Sequence, residues 1–446
     1  MGRQFYRRFF SIYIVLVLQN VVTLSVNLAD NMMLGGYSEV ALSGVAAVNQ
    51  VQFIYQQILT ALGDGMVILC SQYWGKKQIQ PMKKLAAASM RAGLIVCGML
   101  FFLVSLFPAR ILGLFTTEQT IIAEGVKYLK IIRFTYLFFA LTQILLAVLR
   151  SVEVVKIAFL LSVQSFFVNC GINYILIYGK FGAPELGTAG AAIGTLTARM
   201  LEFFVLLLFI ALRERKLHLK VKDFLHTDRV LNRDYLKLTT PLVLIQGLWG
   251  LNTAMQTVIL GHMTAAAIAA NSVASTLFLM VKSAAVGAAS TATIIIGKTI
   301  GTGNLEEVKK EAAALQKLFV VIGILSGLVL FFIRIPILNF YQLAESTKEM
   351  TNTFLIILSV VCVGMSYQMP TNNGIIRGGG SAGFVVKMDL ISIWLIVIPL
   401  SFYMAFVVKA SPAVVVCCLN ADQIFKCVPA FLKANYGNWI RKLTRE

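Results

Sequence analysis

Gly75-Lys76-Lys77-Gln78-Ile79-Gln80-Pro81-Met82-Lys83-Lys84-Leu85-Ala86-Ala87-Ala88 decides how this chain is read, because its pattern comes back. Gly301, Lys309, Lys310 and Ala312 to Ala314 repeat its Gly, Lys-Lys and Ala-Ala-Ala at one constant shift. Leu34-Gly35 returns at the same shift as Leu260-Gly261, and Arg150 returns one residue off it as Arg377. The chain is therefore an internal duplication. Two like, mostly apolar halves are expected to hold something between them.

Charged residues make up 13% of the chain and hydrophobic ones 58%, with a mean hydropathy of +0.80. A soluble chain carries about 25% charged residues, and no soluble fold of 446 residues covers so much apolar side chain. Apolar runs long enough to span a bilayer fall at 9–34, 45–71, 86–107, 122–148, 157–178, 189–211, 238–262, 266–296, 315–339, 350–374, 382–406 and 412–432. The expected fold is an all-α polytopic membrane protein of twelve transmembrane helices. The basic start (Arg3, Arg7, Arg8) resembles a signal peptide, but the apolar run behind it continues to about Gly35 without a small-residue cleavage site and reads as a retained first span.

The net charge of +19 is concentrated in alternate connections: around Arg3, at Lys76 to Lys84, at 212–237, at Lys298 to Lys310, and at Arg441 to Arg445. The positive-inside rule then puts both termini in the cytoplasm. The same residues attract anionic membrane lipid, and no nucleic-acid partner is needed to explain them. The polar stretch 212–237 is the domain boundary, between a six-helix lobe at 1–211 and another at 238–446. An even number of spans per repeat makes the halves parallel.

Several motifs fail. Ile296-Gly297-Lys298-Thr299 imitates the end of a phosphate-binding loop, but Ala292 stands where that motif needs Gly. No hydrolase or metalloprotease signature is present, so the chain does not read as an enzyme and no cofactor is called for. The seven cysteines lack CxxC spacing, which argues against a disulfide framework or a zinc site. Gly378 to Gly380 marks a hinge or a close packing point.

Polar groups inside apolar runs carry the functional signal, since charge in the bilayer is costly. Asp30 in span 1, Asn169 and Asn173 four apart in span 5, and Thr195 in span 6 fall in one depth band. A carboxylate among amide and hydroxyl oxygens suits a proton or a hard cation such as sodium, with Asp30, Asn169 and Asn173 as its ligands. Asn and Thr also supply ordinary helix–helix hydrogen bonds. In the second half Asp389 is either a second cation-handling group or the partner of Lys282 in a structural ion pair. Gln52 and Gln56 in span 2 and Gln246 and Gln256 in span 7 line a substrate cavity or bond between helices. Asp64 and Glu202 read as snorkelling or paired near helix ends.

The set Ala29-Asp30-Asn31-Met32-Met33-Leu34-Gly35, Ser71-Gln72-Tyr73-Trp74-Gly75, Asn169 to Tyr174, Pro184-Glu185-Leu186-Gly187, Gly190-Ala191-Ala192, Ile375 to Gly380 and Trp394 to Pro399 resembles the multidrug and toxic compound extrusion (MATE) family, above all its Gram-positive bacterial members. The resemblance implies twelve helices in two lobes forming a V, alternating access, a monomer, and a place in the bacterial plasma membrane. It also implies export of cationic or amphiphilic drugs in exchange for protons or sodium. One branch of that family uses an Asp on helix 1, Asn and Asp four apart on helix 5 and a Thr on helix 6. Asp30, Asn169 and Thr195 match it, and Asn173 stands where the second Asp would be. Another branch uses acids on helices 7 and 10, where this chain has only Glu349 at the edge of span 10. Coupling is therefore expected in the first half. A lipid-linked-sugar flippase and a non-transporting receptor or scaffold are the rival readings; the first wants several deep Lys or Arg, of which Lys282 is one.

Overall fold

The computed structural model describes residues 2–116, 118–224, 226, 228–263, 265–340 and 344–445. Among these every regular element is helical. The long helices are α1 (Arg3–Tyr37), α2 (Glu39–Gly75), α3 (Ile79–Leu106), α4 (Gln119–Ile132 with Thr135–Ser151), α5 (Lys156–Tyr178), α6 (Thr188–Arg213), α7 (Arg229–Gly261), α8 (Ala265–Thr302) and α9 (Leu305–Phe340). They are followed by α10 (Glu345–Ile376), α11 (Ala382–Val407) and α12 (Pro412–Tyr436). With α4 counted as one span bent by 54°, all twelve are long and apolar enough to cross a membrane. Large apolar side chains stay outside, among them Phe102 at 63% and Leu395 at 71% exposure, as expected where the surrounding solvent is lipid.

Local chemistry ends and bends these helices. Gly179 caps α5 in the left-handed conformation, and Pro412 opens α12 behind Ser411. The last part of α10, Thr371–Ile376, winds as a π-helix. Pro370, which brings no N–H to the helical ladder, stands immediately before it. A further π-helical stretch in α11, Leu390–Val397, begins directly after Asp389.

The chain forms two compact units. One comprises 18–70 and 77–243, the other 2–17, 71–76 and 244–445. The division cuts through α1 and α2 and departs from the boundaries expected at 212–237. The physical reason lies in the packing of the helix ends. Phe5 and Phe9 join the core cluster that also holds Ile295, Phe319 and Trp439. The end of α2 lies against α8, where Gly75 and Gly301 meet so closely that a Cβ on Gly75 would stand 2.8 Å from Gly301 Cα.

In that same unit the chain's tail is strapped down. Gln72 Nε2 donates to Arg441 O (3.2 Å) and Gln72 Oε1 accepts from Leu443 N (2.9 Å). The ring of Trp439, 2% exposed, lies against Gly379, whose carbonyl accepts from Arg441 N. The triple glycine is thus a close packing point.

Residues 214–224 and Asp228 are pinned within the other unit. The Glu214 carboxylate accepts from the backbone N–H groups of Lys216 and Leu217, each at 2.7 Å. Lys83 and Lys84, the repeated lysine pair, bind Asp223 at 2.8 Å and Asp228 at 3.1 Å.

Candidate functional site

Asp30 sits seven residues before the end of α1, Asn173 and Asn169 five and nine before the end of α5, and Thr195 seven into α6. By helical rise these depths are roughly 8–14 Å. Helical spacing puts the two Asn on one face, and both are buried, at 1% and 0% exposure. The helices carry the four residues into one chain of hydrogen bonds. Asn173 Nδ2 donates to Asp30 Oδ1 (2.6 Å) and to Asn169 Oδ1 (3.3 Å), and Asn169 Nδ2 donates to Thr195 Oγ1 (3.2 Å).

Three features that the sequence reading missed shape this site. Gly194, next to Thr195, leaves room for Asn173: a Cβ there would collide with Asn173 Oδ1, an oxygen that is buried with no hydrogen-bond partner. Tyr128 from α4 is buried within reach of Thr195 and Asp30. Arg199, one turn beyond Thr195, is the cation within electrostatic reach of Asp30. It is held by Glu202 at 2.8 Å and lies 5.0 Å over the Phe139 ring. The helical spacing of Arg199 from Thr195 and Glu202 was the available signal. Asp64 is bound by Arg150 Nη2 at 3.1 Å.

Around the site, Tyr178 Oη donates to Met33 O (2.7 Å), tying α5 to α1. Thr188 Oγ1 donates to Glu124 (2.6 Å), tying α6 to α4. An open cavity of about 550 Å³ adjoins, lined by Ala29, Met32, Met33, Tyr174, Tyr178 and Lys180.

As a cation site, the Asp30 cluster offers a carboxylate and the amide oxygen of Asn173. Asn173 turns its N–H to Asp30 Oδ1, which satisfies one oxygen of an ionised carboxylate and leaves Asn173 Oδ1 without a partner. Among the described residues no cluster of three His, Cys, Asp or Glu side chains could hold a metal.

In the other unit Asp389 does not pair with Lys282, one of its two readings from the sequence. Asp389 Oδ1 binds Lys426 Nζ at 2.7 Å, and Lys426 also binds Asp422 Oδ2 at 2.9 Å. Asp422 and Lys426 are one turn apart on α12, which is how a span interrupted by charge buries it. Gln423 Nε2 donates to Asp422 (2.8 Å). Gln368 Nε2 donates to Gln423 Oε1 (2.7 Å), and Asn372 Nδ2 to Gln368 Oε1 (3.1 Å). Lys282 instead lies 4.7 Å over the Trp249 ring. Gln52 and Gln56 on α2, and Gln246 and Gln256 on α7, are partly buried in separate units.

The family model MatE matches residues 16–175 and 241–403, once in each half. The chain belongs to the MatE family. The match covers both copies of the internal repeat. A probable multidrug resistance protein NorM of Thermotoga maritima is 25% identical over 96% of this MatE chain and 92% of its own length. A protein of the same name from Listeria innocua is 23% identical over 90% and 88%. In fold, a solved structure described as the outward-facing conformation of a multidrug resistance MATE family transporter of the MOP superfamily superposes with a TM-score of 0.87, at 16% identity, covering 96% of this chain and 94% of that one. This MatE protein is accordingly a multi-pass membrane protein of a transporter family.

Proposed function

We propose that this MatE protein is a secondary active exporter of cationic or amphiphilic small molecules in the bacterial plasma membrane, with both termini cytoplasmic, working as a monomer. Export is coupled to proton influx through Asp30, with sodium as the rival ion. The observation that carries this reading is the donation from Asn173 Nδ2 to Asp30 Oδ1 at 2.6 Å. A carboxyl group inside the bilayer, held by amides on neighbouring helices, changes its interactions sharply when its charge is neutralised.

Neutralising Asp30 weakens its hold on Asn173 and shifts how α1 packs on α5, which biases one of two conformations. By linkage, substrate that prefers the other conformation weakens ion binding by the same factor. The names of the relatives support the multidrug substrate class. The Met and Tyr walls of the cavity beside the site support it too, since such side chains accept varied apolar cations through soft contacts and ring faces.

The test is efflux of a fluorescent organic cation from vesicles holding the purified protein. An imposed proton gradient should drive it and Asp30→Asn should stop it. A sodium gradient that drives efflux in its place would change the ion; efflux that needs neither gradient would end the reading.

A further inference from the structure

We infer that Arg133 and Lys130, at the bend of α4, bind the phosphate of an anionic phospholipid. The two cations stand three residues apart where the first part of α4 ends. Arg133 N still donates to Leu129 O, so the helical turn carries both onto one face. The Arg133 guanidinium lies 5.6 Å over the Phe101 ring of α3 and 5.1 Å over the Phe134 ring. Ring faces attract a cation but accept none of its N–H bonds as an oxygen would. Its Nε is buried without a hydrogen-bond partner. Its two Nη nitrogens also lack a partner among the described residues, and they are not buried. Lys130 is exposed and likewise unpaired among these residues. Glu124, the one acid between Gln119 and Arg133, is already held by Lys127 and Thr188, each at 2.6 Å. The carbonyl end of a helix favours cations through its dipole, but it fills none of these donors. Like charges one turn apart repel, so what the pair lacks is an anion.

The surroundings decide which anion fits. Phe101 lies five residues before the end of α3, about 8 Å by helical rise, at the end of that helix opposite to Lys83 and Lys84. A long basic side chain at such a depth reaches the headgroup layer by snorkelling. Phe134 and Leu137 are 47% and 43% exposed, and Phe102 next to Phe101 is 63% exposed. The surface beside the cations is therefore apolar and faces acyl chains. A phospholipid covers it with its tails and gives its phosphate to Arg133, whose planar fork matches two phosphate oxygens. Free phosphate would leave that surface uncovered. Two unmatched cations favour a lipid of net negative charge over a zwitterionic one. None of these residues takes part in the Asp30 cluster, and the inference does not depend on the export reading.

The test uses Phe134→Trp, which keeps a ring against the guanidinium and reports on its neighbours. The purified full chain enters phosphatidylcholine vesicles in which a rising fraction of the lipid carries bromine on its acyl chains. The brominated lipid is either phosphatidylglycerol or phosphatidylcholine. Bromine quenches an adjacent indole, and the signal of the native tryptophans is subtracted with the wild type. Brominated phosphatidylglycerol should reach half-maximal quenching at a fraction about tenfold lower or more, since each basic residue contributes about fivefold at a charged lipid surface. Lys130→Gln, a change at an exposed side chain, should cut the preference about fivefold by the same reckoning, and Arg133→Gln added to it should abolish the preference. Equal quenching by the two lipids in the Phe134→Trp protein overturns the inference, and so does a preference that survives both substitutions. Equal quenching, together with a melting temperature in detergent that inorganic phosphate raises unless Arg133→Gln is present, would assign the site to the free ion and exclude the lipid.

Discussion

Gly75 and Gly301, the same position in the two sequence repeats, meet back to back, with Lys298 O and Gln72 O filling the space that a side chain would need. The contact joins the end of α2 to the end of α8, and only hydrogen fits there. Gly75→Ala forces two backbones apart, and overpacking of this kind costs about 1–3 kcal/mol. The expected outcome is a lower melting temperature in detergent. Unchanged melting for both Gly75→Ala and Gly301→Ala would show that the helices separate freely.

Gly194→Ala probes the coupling site without touching a polar residue. Its Cβ collides with Asn173 Oδ1 and turns that amide away from Asp30. Gradient-driven dye efflux should fall by an order of magnitude or more, about the effect of losing a buried hydrogen bond to a charged group, while membrane insertion persists. Normal efflux would mean that the Asn173 to Asp30 bond has no part in coupling.

Asn173→Asp would set a second carboxylate beside Asp30. Two carboxylates so close share either a proton or a cation. Efflux by this variant should depend more strongly on sodium than efflux by the wild type. The comparison is between sodium and potassium salts at fixed pH, and identical rates would count against it.

Lys426→Met removes the cation shared by Asp389 and Asp422. Breaking a buried pair by deleting one partner costs about 3–5 kcal/mol. Thermal unfolding should show a large loss in this variant. A chain that also carries Asp389→Asn and Asp422→Asn should recover much of it, because no unpaired charge remains. Equal stability of the single and triple variants would contradict this account.

The linker gives a pH dependence. Desolvation pushes the Asp223 carboxyl up, but hydrogen bonds from Lys83 and the Lys220 N–H, together with the charge of Lys83, outweigh it and hold the group below the usual carboxylate range. A depressed acid contributes stability at pH above its unfolded value and loses it as pH falls through the folded one. The turn at Val221–Phe224 should therefore stay anchored at neutral pH and loosen below about pH 4, near the ordinary value for Asp. Amide hydrogen exchange of 216–224, corrected for its intrinsic pH dependence, reads this directly. At neutral pH Asp223→Asn should already exchange faster than the wild type; matching rates would refute the anchor.

The amino-acid sequence by itself determined the class of fold, the number of spans and the depth of the polar band. Each of these follows from local quantities: run length against bilayer thickness, and residue count times helical rise. Asp30, Asn169, Asn173 and Thr195 could be put at one depth because depth is counted along a helix. Which side chain meets which could not be counted that way, because azimuth and helix neighbours are set by packing. Asp389 therefore found Lys426 and not Lys282, and Lys426 itself went unremarked although it stands four residues after Asp422. The roles of Gly194, Tyr128 and Arg199, the strap over Gly379, and the passage of the ends of α1 and α2 into the other unit were likewise decided only by tertiary structure. Close approach between helices depends on every side chain that could block it, and no single stretch of chain contains that information.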